Sequence, residues 1–386
     1  MTRISPGWMR KLDDAQKKFI VTSTGMAFYD EFLTQHGKHL FIFGTTGAGK
    51  TNKGYAFVDW LKHTETQIWV SSGKQGEIFP LLCMGKRIEI LVPDGCDIII
   101  EERKGGKWQR IENHPRVIPV STPHDMLMSI TAGRYDHNRE QTHDQITVLE
   151  IRNAFYSRAL AVMWVAELFE HIAAAAREGK INKILPASLH IDESQWTIAG
   201  QRVSNDAERT KASEIIAENA FELRSAGMRL ILYAQDYKNI PTTARENMLF
   251  NLLCRGADVK PEENRKLSEW CKFAPWRRPP SPQYFATEDG RFVFESNHNG
   301  WGDSYPPEKP WKFRRYPLSE ADREWCSRLR MRYTGKHDQK PIESEIKEEC
   351  LPELGRFSAM AIPPEKIEAY GGPSRYDDGG MIKNEP

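Results

Sequence analysis

Gly44, Gly49, Lys50 and Thr51 fall at the spacing Gly-x-x-x-x-Gly-Lys-Thr within Phe41-Ile-Phe-Gly-Thr-Thr-Gly-Ala-Gly-Lys-Thr51. A loop of this composition does phosphate chemistry. Glycines at 44, 47 and 49 let the backbone fold tightly enough for successive N–H groups to converge on an anion. A helix beginning near Lys50 would turn its positive end toward the same point. The run Thr46, Gly47, Ala48, Gly49, Lys50, Thr51 and Asn52 is therefore the candidate cradle for a triphosphate, with ATP the expected cofactor. Lys50 is expected to reach the β- and γ-phosphates, and the Thr51 hydroxyl to ligate the Mg²⁺ that bridges them.

A second stretch, Ser188-Leu-His-Ile-Asp-Glu-Ser-Gln-Trp196, ends a short apolar strand in two adjacent carboxylates. Asp192 is the candidate to hold the Mg²⁺ shell opposite Thr51, and Glu193 the candidate to polarise the attacking water. A third polar group, Gln235, ends the buried run Met228 to Ala234. Its amide can report on the γ-phosphate, orient the water, or cap the following loop.

Elements of a parallel α/β sheet are needed to bring these groups together. Leu40 to Phe43 reads as a buried strand, Thr51 to Lys62 as a helix with Tyr55, Val58 and Leu61 toward the sheet, and Gln67 to Val70 as a second strand. That order requires a parallel sheet with right-handed crossovers. Ile88 to Val92 and Ile98 to Glu101, flanking Pro93-Asp94-Gly95, predict a β-hairpin insertion at about residues 75–115, after which Arg116 to Val120 returns to the sheet. Gly133 to Gln145 is a polar loop holding Arg134, Asp136, His137, Arg139, His143 and Asp144, open to reading as a solvated loop, a channel lining or a metal site. Arg158 to Arg177 predicts a core helix on its Leu160, Trp164, Leu168 and Ile172 stripe. Ala207 to Ala226 predicts a helix with Ala212, Ile216, Ala220 and Leu223 on one face, stopped by Gly227.

Taken together, the three segments resemble the FtsK–HerA superfamily of P-loop motor ATPases. Gly37 to Asn52 is similar to that group's first motif, His190 to Trp196 to its second, and Arg224-Ser-Ala-Gly-Met-Arg-Leu-Ile-Leu-Tyr-Ala-Gln235 to its arginine, strand and sensor glutamine. The resemblance covers about Lys38 to Asp258. It implies a three-layer, additional-strand P-loop fold, with the strand of Asp192 lying between the P-loop strand and another. It implies a homo-oligomeric ring, usually a hexamer, that pulls double-stranded DNA through its centre using ATP. It also implies an arginine reaching the neighbour's γ-phosphate: by position Arg224 is the first candidate and Arg229 the second, although a helix-end salt bridge would use the same residues. Without the extra domains of repair, segregation and coupling relatives, the chain resembles soluble genome-packaging ATPases of viruses or a plasmid-borne transfer motor. A portal, capsid or nuclease partner follows from that resemblance. A P-loop ATPase acting on protein, or a nucleotide-gated scaffold, is the alternative.

The 386-residue chain sets limits of its own. It carries 54 Lys and Arg against 53 Asp and Glu, so any polyanion must be gripped locally rather than by net charge. Six scattered cysteines without a Cys-x-x-Cys pair suit neither a disulfide framework nor a zinc site and favour a reducing cytoplasm. Leu160 to Ala176, broken by Glu167, Glu170 and His171, is expected to fall short of a membrane span. The expected organisation is an N-terminal arm (1–24), a P-loop ATPase domain (25–300), a C-terminal extension (301–333) and a tail (334–386). Gly25 to Gln35 reads as a short helix, Tyr284 to Thr287 with Arg291 to Glu295 as a hairpin, and Leu318 to Arg332 as a helix. Trp276-Arg277-Arg278 and Lys309 to Tyr316 place cations beside aromatics, which suits phosphate contact or packing.

Overall fold

The fold is that of a computed structural model describing residues 32, 36–74, 76–85, 87–112, 115–133, 145–178, 186–198, 207–248, 250–254, 257–265, 267–268, 293–296, 300–303 and 318–336. They lie in one compact unit, Met1–Glu343. Its centre is the strand β1 (Leu40–Phe43), with all four residues buried. A strand apolar at consecutive positions hides both faces, and this one must therefore be covered on both sides. The helix α1 (Lys50–Leu61) follows, burying Tyr55, Phe57, Val58 and Leu61. It approaches the sheet closely enough that a Cβ on Gly54 would sit 2.7 Å from the Tyr233 hydroxyl oxygen and 2.9 Å from the Trp69 ring.

The remaining strands of the main sheet are β2 (Thr66–Val70), β3 (Arg87–Pro93), β6 (Arg116–Val120), β7 (Gln145–Leu149), β8 (Ala187–Ile191), β9 (Met228–Ala234), β10 (Phe250–Leu253), β11 (Val293–Ser296) and β12 (Gly300–Asp303). Their order is β12-β11-β10-β1-β9-β8-β2-β7-β3-β6. From β10 to β6 every neighbouring pair is parallel, while β11 and β12 add an antiparallel margin. This is the expected additional-strand α/β architecture with one correction to its order. The strand of Asp192 is β8, and its neighbours are β9 and β2, so β9 is the strand inserted between it and β1. Apolar but for Arg229, β9 buries all seven of its residues and can be flanked on both edges.

The hairpin insertion is present one strand later than expected. Ile88 to Val92 belongs to β3 inside the main sheet, and the hairpin is β4 (Asp97–Lys104) with β5 (Lys107–Arg110). Pro93-Asp94-Gly95 redirects the chain from one sheet to the other instead of closing a hairpin. The reversal occurs at Gly105-Gly106, both at positive φ (58° and 80°), as a two-residue hairpin turn requires. The third strand of this small sheet comes from far along the chain. Leu318 to Arg332 is not one helix: a helix over Glu320–Ser327 gives way to β13 (Leu329–Thr334), antiparallel to β4. Alternation explains the switch, since Leu329 and Met331 are buried while Arg332 is exposed. The hairpin partner of Val293–Ser296 is likewise Gly300–Asp303, and 284–287 lies outside the described residues.

Helices α3 (Pro123–Gly133), α4 (Arg158–Arg177) and α5 (Ala207–Ser225) pack in succession, α2 being the single turn Phe79–Leu82. In α5, Ala212, Ile216, Ala220 and Leu223 are buried, and Gly227 follows at φ 81° with its N–H donating to the Arg224 carbonyl. By length and composition α4 is apolar enough to cross a membrane, contrary to the expectation that it falls short. Its apolar window is 61% buried inside the fold, between α3 and α5. The Gly25–Gln35 helix, the 134–144 loop and the clusters at 276–278 and 309–316 lie outside the described residues, apart from Phe32, which is buried.

Candidate nucleotide site

Five neighbouring strands, β1, β9, β8, β2 and β7, deliver polar groups to one carboxyl edge. From β1 the chain enters the glycine loop, pinned where the Gly44 N–H donates to the Ala234 carbonyl. Gly49 caps α1 at φ 81°, a conformation that disfavours any side chain, and no side chain caps the helix. No acid lies in the first turn either. With no side-chain cap, the positive end of α1 suits an anion. Thr45, Thr46 and Gly47 are exposed, and Lys50 is buried, its Nζ donating to the Gly44 carbonyl at 2.7 Å and the Thr45 carbonyl at 3.0 Å. Burial lowers the Lys50 pKa, with Asp192 and Glu193 acting against it.

From β8 come the two acids. Thr51 Oγ1 lies 3.2 Å from both oxygens of Asp192, a side chain only 1% exposed. A hydroxyl beside a carboxylate is an oxygen donor set suited to a hard cation such as Mg²⁺. Burial raises the Asp192 pKa despite the nearby Lys74 charge. The next residue, Glu193, is the one non-glycine residue at positive φ (45°) among those described. That conformation ends the strand at once and turns the chain into the short helix Ser194–Trp196, so that neighbouring carboxylates take different surroundings. The turn is fixed by the Ser194 hydroxyl donating to the Tyr233 carbonyl at 2.9 Å and by Trp196 Nε1 donating to the Asp192 carbonyl at 3.2 Å.

Beneath it, His190 is fully buried. The Gln67 amide nitrogen donates to the Glu65 carbonyl, which leaves Gln67 Oε1 facing His190 Nε2 at 3.0 Å. His190 Nε2 must therefore donate, and Nδ1 accepts from the Tyr233 hydroxyl at 2.7 Å. Burial pushes this histidine down to about 3, so it is neutral scaffolding.

Three contributors to this edge were not foreseen. Lys74, after β2, places Nζ 2.8 Å from Glu193 Oε1 and 3.6 Å from Asp192 Oδ2. Arg152, after β7, lies 3.5 Å from Glu193 Oε2 and also donates to the Ser72 carbonyl. Burial alone would raise the Glu193 pKa; the Lys74 bond and charge, with Arg152, bring it below the ordinary carboxylate value. The third is Glu77, whose carboxylate accepts from Trp69 Nε1 at 2.7 Å and from the Ser72 N–H. Burial and the Asp192 charge push it up to about 8. A cation four residues past the predicted strand end at Val70 was the available signal for Lys74, while β7 itself went unrecognised.

Of the other predicted residues, Gln235 follows Ala234, which pairs with Phe43, so it stands beside Gly44 on the same edge and is half-buried. Ala48 and Asn52 belong to the cradle by position, at the loop and in the first turn of α1. The arginines lie elsewhere. Arg224 is in the last turn of α5, before β9, and the seven residues of β9 set it roughly 20 Å from the cradle edge of its own chain. Arg229 is fully buried, with Nη2 2.7 Å and Nε 3.1 Å from the two oxygens of Glu65, and stacks 4.4 Å over the Phe32 ring. Its guanidinium is part of the core, which removes it as a candidate to reach a neighbouring subunit.

Strand order and cradle together define a P-loop nucleotide-binding fold of the additional-strand class. No protein-family model matches the chain, and no curated protein matches it in sequence. Among solved structures it is similar to B204, the DNA-packaging ATPase from Sulfolobus turreted icosahedral virus, at 15% identity over 68% of this chain and 94% of that one (TM-score 0.37). It is also similar to the genome packaging NTPase B204 from Sulfolobus turreted icosahedral virus 2 in complex with AMPPCP, at 15% identity over 67% and 92% (TM-score 0.34). A third is the monomer form of the pCW3 conjugation coupling protein TcpA with ATPγS, at 13% identity over 69% and 59% (TM-score 0.33).

Proposed function

We propose that this protein is an ATP-hydrolysing motor that works as a ring on double-stranded DNA, in genome packaging or plasmid transfer. The observation that carries the nucleotide part is the contact of Thr51 with Asp192, with Glu193 one residue beyond and Lys50 beside the uncapped start of α1. Thr46 to Asn52 and Lys50 would hold the phosphates of ATP, and Thr51 and Asp192 would hold Mg²⁺, which supplies charge neutralisation on the phosphate oxygens when bound. Glu193 would accept the proton of the attacking water, and Gln235 would orient that water or respond to the γ-phosphate. The step from nucleotide to DNA rests on the sequence resemblance of the three motifs. Arg224 is the proposed reach across the subunit seam, and the ring is proposed to be hexameric.

The test is hydrolysis with and without duplex DNA at low salt. Stimulation that fades as salt rises is the expected result, because phosphate contacts weaken by counterion competition. Indifference to DNA at every salt concentration would sink the motor reading. The near balance of 54 basic and 53 acidic residues favours a second reading, an ATPase that moves a protein. Pull-downs with and without nuclease treatment separate the two.

A further inference from the structure

The small sheet β13-β4-β5 presents a surface that the nucleotide site does not use. All four side chains of β5 are exposed, and β5 is an edge strand. Register places Arg103 opposite Trp108 and Glu101 opposite both Arg110 and Arg330. By strand alternation these residues and Arg332 share the outward face. Contacts agree with that placement: the Arg330 guanidinium lies 4.1 Å over the Trp108 ring, and Glu101 is gripped by Arg330 and Arg332 at 2.6 Å and 2.8 Å. Glu101 is thus already spoken for, and its arginines hold it down at about 2. Arg103 and Arg110 have no acidic partner among the described residues.

Trp108 is 37% exposed, one of three large apolar side chains open to solvent among the described residues. A half-open tryptophan beside arginines on an edge hairpin offers cations and a flat aromatic face together, and a polyanion with sugar and base surfaces matches both. We infer that this face is where the chain grips duplex DNA, through phosphate contacts from Arg103 and Arg110 with Trp108 against the backbone sugars. This inference rests on the motor reading and names the surface that reading leaves unassigned. The surface is also joined to the nucleotide edge. Asn153 Nδ2 donates to the Tyr333 hydroxyl of β13 at 3.0 Å and to the Gly73 carbonyl at 2.9 Å, and its neighbours Arg152 and Lys74 hold Glu193. Hydrogen bonds thus tie β13 to the two loops that carry Arg152 and Lys74.

The experiment is fluorescence anisotropy of a labelled duplex with the full chain across a salt series, comparing wild type with R103A/W108A/R110A. A second variant, K104A/K107A, guards against a folding defect in the first. The triple variant should keep its melting temperature and basal hydrolysis, lose DNA stimulation, and show a slope of log affinity against log salt reduced by about 2, from about 0.9 per phosphate contact. Wild-type binding with an unchanged slope in both variants overturns the inference and leaves the motor reading standing. No duplex binding by wild type sinks that reading, and this one with it. Equal binding of polyglutamate, lost in the same variants, would assign the face to an acidic protein and overturn DNA as its occupant.

Discussion

Lys74 Nζ lies 2.8 Å from Glu193 Oε1, and Arg152 approaches the other oxygen of the same carboxylate at 3.5 Å. The carboxylate proposed to take a proton from water is thereby held between two cations that stabilise its charged form. Removing one cation lets burial dominate, so the carboxyl pKa rises. The acid limb of the pH–rate profile should accordingly move to higher pH in Lys74→Met, because the deprotonated form becomes scarcer at low pH. Turnover measured from pH 5 upward checks this, and an unmoved limb would exclude Lys74 as the group that sets the charge of Glu193.

Lys50 and Glu193 should fail differently. Lys50→Ala removes the one ammonium that reaches into the loop and should abolish nucleotide binding in a fluorescent-nucleotide titration. Glu193→Gln keeps the cradle and should bind nucleotide normally while hydrolysing roughly 10²–10⁴-fold more slowly. Equal binding losses in both variants would mean that Glu193 serves the cradle and not the water.

Glu77 offers a pH test of stability. Its carboxyl is raised from an unfolded value of 4.5 to about 8, first by burial and then by the Asp192 charge. The folded state therefore binds the proton more tightly than the unfolded one. That stability is fully present below pH 4.5 and is lost as pH rises through about 8. The difference amounts to on the order of 5 kcal/mol at about 1.4 kcal/mol per unit. Urea midpoints of the nucleotide-free protein should fall between pH 5 and 9, and Glu77→Gln should flatten the curve. Parallel curves for the two proteins would show that Glu77 titrates normally.

The two arginines should separate by the kind of damage they cause. Arg229→Ala leaves Glu65 buried with only the His36 ring and the Ser188 hydroxyl against it and should cost about 3–5 kcal/mol, read as a drop in melting temperature. Arg224→Ala should fold normally, since its side chain is half-buried at a helix end. If the Arg224 guanidinium acts across a seam, mixing Arg224→Ala with Lys50→Ala subunits should restore part of the lost turnover, as wild-type halves meet at some interfaces. Additive inactivity in the mixture would remove Arg224 from that role.

The sequence alone determined the cradle, because eight contiguous residues fix both the turn and the helix start whatever surrounds them. It likewise determined Asp192 and Glu193 as a strand-end pair, Gln235 after the apolar run Leu230 to Ala234, and the stripes of α4 and α5, since hydrophobic spacing along a short segment reports local geometry. Only the tertiary structure decided which strands are neighbours. Spacing says that Ile88 to Val92 is extended but not that it joins β7 instead of the next strand, Ile98 to Glu101. Nor does it say that Leu329–Thr334 pairs with β4 more than two hundred residues earlier. Those partners are selected by packing between distant segments, and for that reason Lys74 and Arg152, each ordinary in its own stretch of sequence, converge on Glu193. The same cause pairs Arg229: its place inside an apolar run marks it as buried, but its partner Glu65 is met only once β9, β8 and β2 are assembled.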